Sequence, residues 1–257
     1  YKDYSLDLKY ARLLAKPLII KHYVKTFGDD EALAAAKDVV RILCTFDPVE
    51  IRNDIPIYIG LKYAKELGCK SIVTGDGGDE LFAGYTFLYN YKPKDIDNWV
   101  KDIVEKWSFS SRVLGKSLNL NIIQPYTDPK VVEVALSIPG ELKVNKYKGR
   151  TYGKWILRKA FENYLPRDIV WRSKMPIEVG SGSTRLSRVF MVDEEEYKEL
   201  SRNVKLRNPE HAFYYKLFIR IFKEIPRPKD DERSCPYCGG GVKKDLRYCR
   251  YCGAYPV

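Results

Sequence analysis

Ala, Val, Ile and Leu recur at helical spacing over residues 31–45, and the same periodicity gives a second helix over 57–67, ended by Gly68. A short apolar run at 71–74 follows and reads as a strand. Residues 95–107 read as helix, 121–124 as extended chain, and 129–137 as a helix with proline in its first turn. Over 151–164 the pattern predicts a helix, with Trp155, Ile156, Lys159 and Phe161 divided between two faces. The stretch 17–24 is β-like through Ile19, Ile20 and Tyr23, and 169–182, with Gly180 and Gly182, is expected to be irregular. A last helix over 209–225 carries Phe213, Tyr214, Tyr215, Phe218 and Phe222, expected to pack against the body of the protein. Helix, strand, loop and helix in this order imply an α/β fold. Its parallel sheet is flanked by helices, with the ligand at the carboxyl ends of the strands.

The chain of 257 residues suffices for one sizeable α/β domain and a small module, with a charged, Pro-containing linker at 226–233 between them. The expected division is 1–225, linker 226–233 and a terminal module 234–257. No apolar run approaches a membrane-spanning length, and no charged-then-apolar leader opens the chain. A single glutamine, 20 Tyr and 31% charged residues resemble a heat-adapted intracellular protein, and a cytoplasmic location is expected. The net charge of +11 is concentrated: residues 141–174 hold ten Lys or Arg against three acids. Such a segment would attract triphosphate, pyrophosphate or an RNA backbone, although solvated helix faces account for most single lysines. His22 and His211 are the only histidines. Neither has a His or Cys neighbour at metal-ligand spacing, so both read as structural and a histidine-dependent triad is not expected.

Chemistry concentrates in the loop Thr74-Gly75-Asp76-Gly77-Gly78-Asp79-Glu80 after the short strand. Its glycines allow backbone amides to approach a phosphate, and its acids call for a divalent cation between them and that phosphate. The competing reading is an acidic turn capping the next helix. At the other end, Cys235-x-x-Cys238-Gly and Cys249-x-x-Cys252-Gly form two matching knuckles, and four thiolates complete a closed tetrahedral shell for structural zinc. Iron, or two disulfides, are the alternatives. A segment this short buries no core without its metal. Cys44 and Cys69 lie in apolar surroundings and read as packing residues.

The loop resembles the acidic ATP-site loop of asparagine synthetases, Ser-Gly-Glu-Gly-Ser-Asp-Glu-(Leu/Val)-Phe-Gly-Gly-Tyr. Asp47-Pro-Val-Glu-Ile-Arg-Asn-Asp-Ile-Pro-Ile57 is similar to the family's upstream stretch, and Pro125-Tyr-Thr-Asp128 to its Pro-Phe-Leu-Asp. Tyr164-Leu-Pro166 followed by Trp171-Arg-Ser-Lys174 is similar to the late motif that brings a lysine to the site. Residues 4 to about 182 can be laid along the synthetase domain. The resemblance implies an adenine nucleotide alpha hydrolase-like fold of the N-type ATP pyrophosphatase superfamily, with a helical C-terminal part and here a zinc ribbon.

It further implies an AMP-forming amide ligase using ATP and Mg²⁺. A small-molecule carboxylic acid is adenylated, and ammonia or an amine donor then attacks. Carried over by position, Lys174 stabilises charge on the α-phosphate, Asp79 binds Mg²⁺, and Asp76 takes the place of the acid that deprotonates the amine. Thr74, Gly75, Gly77 and Gly78 would shape the nucleotide pocket. The sequence departs from the family in three ways. The family's Ser-Gly-Gly-x-Asp-Ser loop has no counterpart, so Tyr1 is expected to begin inside the domain; nothing corresponds to a glutaminase domain either. Asp76 stands for Glu, reaching roughly 1.5 Å less far. Ile123 stands for an arginine. Two other readings fit parts of the chain. One is a tRNA-modifying ATP pyrophosphatase in which the ribbon and the basic segment 141–174 hold tRNA. The other is a non-catalytic nucleotide-binding homologue whose ribbon docks a protein partner.

Overall fold

Ser5 accepts the Leu8 amide on its hydroxyl and so starts α1, Leu6–Leu18. The computed structural model describes residue 1 and residues 5–257; Tyr4, where the resemblance begins, lies outside them. Helix α1 overlaps the start of the stretch expected as a strand. Ile19 ends it in the left-handed region (φ 51), and residues 20–24 pair with no strand among the described residues. β-branched and aromatic residues alone do not make a strand without an edge to join.

Helix α2, Asp29–Leu43, opens on three acids that suit a helix N-terminus and buries Ala32, Ala35, Ala36, Val39 and Val40, as the periodicity predicts. Helix α3, Pro48–Glu66, begins nine residues before the expected boundary. Asp47 caps it by accepting the Val49 amide at 3.2 Å, Pro48 suits the first turn, and the helix runs through Pro56. Gly68 (φ 84) then turns the chain into β1, Ser71–Val73.

After β1 come α4, Gly78–Leu81, α5, Pro93–Lys106, and α6, Ser110–Ser117. The chain returns as β2, Asn121–Ile123, parallel to β1 with Ile72 opposite Ile122. Gly115 of α6 permits this return, because a Cβ there would lie 2.3 Å from Ile122 Cγ1. Among the described residues the parallel sheet has these two strands only, smaller than the order of elements implies.

Helices α7, Pro129–Ser137, and α8, Gly140–Lys143, lead to a hairpin of β3, Asn145–Tyr147, and β4, Arg150–Tyr152. Its two turn residues, Lys148 (φ 48) and Gly149 (φ 79), both lie in the left-handed region, as a tight hairpin requires. The helix expected over 151–164 is therefore cut back to α9, Trp155–Ala160. The stretch 169–182 is more ordered than expected. It follows the start of α10, Arg167–Val170, and includes α11, Ile177–Gly180. Then come α12, Glu194–Leu200, α13, Pro209–Phe222, and a two-stranded ribbon of β5, Glu232–Ser234, and β6, Gly241–Lys243.

The largest core joins α2, α3, α6, α13 and the ribbon. Phe46 lies at its centre, 5.4 Å from the His211 ring, 5.2 Å from Tyr215 and 5.1 Å from Phe218. Tyr214 and Phe218 are fully buried, as expected of the aromatic helix. His211 is a structural histidine. Burial, with the Arg207 charge adding, pushes it down to about 3, and its Nδ1 accepts the Arg207 amide. Two expectations are corrected. Cys69 is exposed rather than packed. Lys143, within the basic segment, is 1% exposed, donates to the Ile138 carbonyl and pairs with Asp97. No helix among the described residues is long and apolar enough to cross a membrane.

Candidate active site

The two parallel strands deliver their loops to one end. Thr74 continues the ladder, donating its amide to the Ile123 carbonyl at 2.9 Å, and the acidic loop opens beyond it. Gly77 needs its left-handed conformation (φ 89) to turn the chain into α4. A Cβ at Gly77 or Gly78 would lie 3.1 or 3.0 Å from Tyr126, so both glycines serve close packing against that ring. Gly75 has nothing within 4 Å of the equivalent point and is the loop glycine that faces open space.

Asp76 is held from three sides. Its Oδ2 accepts from Thr74 Oγ1 at 2.6 Å, Ser111 Oγ at 2.5 Å and Gln124 Nε2 at 3.0 Å. Gln124 also donates to Ser111 Oγ at 3.2 Å. Three donors on one oxygen leave Oδ1 as the atom with acceptor capacity to spare. Beside this network Asp54 is 2% exposed and accepts from Ser110 Oγ at 2.6 Å. Burial pushes its carboxyl up to about 8, the Glu50 and Asp76 charges push the same way, and the Ser110 hydrogen bond opposes them. In the unfolded chain the same group titrates near 3.9. The folded protein thus binds more protons between those values, and stability falls as pH rises from about 4 to about 8. Asp54→Asn is expected to flatten that fall, of which about 4 kcal/mol lies between pH 5 and pH 8. Urea unfolding at pH 5 and at pH 8.5 measures it; an unchanged slope in the variant assigns the pH dependence elsewhere.

Asp79 lies between two ammonium groups. Lys174 Nζ donates to Oδ2 at 3.1 Å, and Lys154 Nζ stands 3.1 Å from Oδ1. The second contact is a charge pairing without hydrogen-bond alignment, because Oδ1 is buried with no hydrogen-bond donor among the described residues. Lys174 also stands 5.7 Å from the centre of the Tyr85 ring, whose hydroxyl donates to Glu80. Thr74, Asp76, Asp79 and Lys174 are therefore brought to one end of the strands, while Gly77 and Gly78 shape that end through Tyr126.

Lys174 comes from a segment fastened well before it. Arg158 donates through Nε to the Gly153 carbonyl at 2.8 Å and through Nη1 to the carbonyls of Val170 and Arg172. Trp171 stacks on Tyr147 at 3.7 Å between ring centres and donates Nε1 to Glu162. Arg172 pairs with Asp7 of α1 and lies 4.2 Å over the Tyr10 ring. Sequence reasoning gave no role to Lys154, Arg158, Ser111 or Asp54. Lys154 and Arg158 had one local signal, membership of the basic segment, and Asp54 lies in the stretch similar to the family's upstream motif.

The four terminal cysteines gather as their spacing implies. Their sulfurs lie within 4.8 Å of one another, with Cys235 to Cys252 at 3.8 Å and Cys238 to Cys249 at 3.7 Å. A tetrahedral ion with metal–sulfur bonds of about 2.3 Å requires sulfur separations of about 3.8 Å. These separations are far too long for disulfides. Amides in the knuckles point at the sulfurs: Gly240 at Cys238, Tyr251 and Cys252 at Cys249, and Ala254 at Cys252. The donor set and its dimensions fit zinc.

The ribbon is fastened at the start of α3. Asp47 accepts from Arg207 Nη2 at 2.6 Å and from the Tyr248 hydroxyl at 3.0 Å, and Arg207 also donates to the Cys252 carbonyl. Phe46 donates its amide to the Tyr251 carbonyl at 2.7 Å. Gly253 (φ 70) fits against Asp47, whose Cγ would lie 2.2 Å from an added Cβ.

A family model described as asparagine synthase matches residues 2–122 and 114–225. Among curated proteins, a probable glutamine-hydrolyzing asparagine synthetase of Schizosaccharomyces pombe is 31% identical over 239 residues, covering 85% of this chain and 42% of that protein. Glutamine-hydrolyzing asparagine synthetases of Sandersonia aurantiaca and Zea mays are each 27% identical, covering 87% and 89% of this chain but 46% and 41% of their own lengths. The chain thus spans less than half the length of these relatives.

Proposed function

Since this chain belongs to the asparagine synthase family, we propose that it is an ATP-dependent, AMP-forming carbon–nitrogen ligase. A carboxylate oxygen of a small acid attacks the α-phosphorus of ATP, and the bond to the β-phosphate oxygen breaks as pyrophosphate leaves. The amine nitrogen then attacks the acyl carbon, its proton goes to a base, and AMP departs with the bonding pair. One contact carries this reading: the Lys174 ammonium reaches Asp79 at 3.1 Å, across 95 residues of chain.

Each side chain has a task that its surroundings support. Lys174, on its fastened segment, holds positive charge where the α-phosphate becomes more negative. Asp79 would hold Mg²⁺ together with phosphate oxygens, and its buried Oδ1, lacking a hydrogen-bond donor, fits that demand. The chemistry Mg²⁺ supplies there is neutralisation of the departing pyrophosphate. Asp76, fixed through Oδ2, leaves Oδ1 to accept the amine proton. The open backbone at Gly75 gives a phosphate or ribose room to approach. The four cysteines would hold structural zinc, outside the chemistry.

Mixing the full-length protein with Mg-ATP, ammonia and a panel including aspartate and its homologues is expected to release pyrophosphate and AMP in equal amounts with one acid. Absence of release across the panel, with ATP still bound, would instead favour a non-catalytic nucleotide-binding role.

A further inference from the structure

Val204, Lys205, Leu206 and Arg207 alternate inward and outward as the chain passes the ribbon. The two apolar side chains join the largest core, and the two cations face solvent. Lys205 donates its amide to the Tyr237 carbonyl at 2.8 Å, so this extended segment lies along the first cysteine knuckle. Its ammonium stands 5.4 Å from the centre of the Tyr237 ring. Arg207 shares Asp47 with the hydroxyl of Tyr248. Arg247, beside Tyr248 in the chain, lies 5.7 Å from the centre of the Tyr255 ring. Three tyrosines and three cations thus form one connected strip across the ribbon and the segment next to it.

Packing does not account for these rings. Tyr251, the remaining tyrosine of the ribbon, shows what the fold asks of one. It is buried in the largest core, and an added Cβ at Gly240 would lie 2.6 Å from its ring. Tyr237 and Tyr248 are instead each 40% exposed, and Tyr255 is 67% exposed. Lys205 and Arg247 have no carboxylate at ion-pair distance among the described residues, and Asp47 is taken up by Arg207. The backbone that carries the second knuckle is held in place: Val257 donates its amide to the Arg247 carbonyl at 2.9 Å, and Arg233 donates to the Leu246 carbonyl at 2.8 Å.

Exposed tyrosine rings interleaved with cations free of the fold's own acids suit an unpaired strand, whose bases stack on the rings while its phosphates meet the cations. An acidic peptide would use the cations and leave the rings idle, and a duplex keeps its base faces stacked on one another. Unpaired bases are a standing feature of RNA loops and ends. From this surface we infer that the strip binds single-stranded RNA. It shares no residue with the site around Asp79 and Lys174, so this role stands apart from the ligase chemistry.

The test titrates the zinc-loaded full-length protein into a short fluorescent RNA without secondary structure, the DNA of the same sequence and an RNA duplex. Tyr255→Ala is expected to weaken the single-stranded RNA about 5- to 100-fold, whereas Tyr255→Phe, which keeps the ring, should match the parent. Lys205→Gln and Arg247→Gln should each flatten the fall of log affinity with log salt by roughly 0.7. Zinc content and melting temperature should stay those of the parent, since all three side chains are exposed. No binding of RNA by the parent overturns the inference, as does a duplex or DNA bound more tightly than the single-stranded RNA. Binding that none of the variants alters would put the RNA elsewhere, on the basic segment 141–174 for example, and overturns it too. Loss on removing the cations but not the Tyr255 ring would reveal a surface for any polyanion and likewise sinks the RNA reading. Pyrophosphate release, assayed in the same variants, should be unchanged, so failure here leaves the ligase proposal to its own assay.

Discussion

Lys174→Met is expected to lower pyrophosphate release by about 10²- to 10³-fold, the usual effect of removing one preorganised stabilising group from a transition state. Methionine keeps an unbranched stem, and the anchors that place residue 174 do not involve its ammonium. They are the Arg158 hydrogen bonds to Val170 and Arg172 and the stack of Trp171 on Tyr147. The melting temperature should therefore move little. The loss should fall mainly on kcat, because charge on the α-phosphate grows as the reaction proceeds and is weaker in bound ATP. Steady-state assays over a range of ATP concentrations separate the two parameters. A variant retaining release within about threefold of the parent would remove Lys174 from the chemistry.

Stripping the metal from the four cysteines, or making Cys249→Ser, is expected to lower the melting temperature of the whole protein by roughly 10 °C or more. Structural zinc contributes several kcal/mol at least, and each kcal/mol shifts a domain of this size by about 2–4 °C. The transition should stay single. The cysteines, Val242 and Tyr251 belong to the same core as Phe46 and Phe218, and Asp47 binds the ribbon and the first turn of α3 together. Metal analysis should give one zinc per chain, and calorimetry before and after chelation gives the shift. A small early transition that leaves the main one in place would instead show an independently folding ribbon.

What could be read beforehand is what chemistry makes local. The seven-residue loop, the paired Cys-x-x-Cys knuckles and the Trp-Arg-x-Lys segment each carry their signal within a few positions, and the fold brings Lys174 to Asp79 and the four cysteines to one another. Helix α2 was equally legible, because an apolar face repeated at helical spacing over 15 residues suits no strand or loop. Helix α3 was half legible: Pro56 interrupts the pattern, and Asp47 at the true start has cap and ribbon partner as its two roles. The parts that stayed hidden depend on distant chain. Lys154 is one basic residue among ten until the turns at 82–84 and 153–154 meet. Ser111 and Gln124 are unremarkable polar residues until α6 and β2 carry them to Asp76. The expected strand at 17–24 failed for the converse reason, since its pattern was right and the partner edge was missing among the described residues.

The left-handed turn at Lys154 (φ 54) sets backbone ease against an ion pair at a single position. Glycine is what that backbone prefers, yet only a long cationic arm reaches Asp79 from there. A laboratory selection for heat tolerance alone would drift toward the smaller residue and lose the ion pair with Asp79.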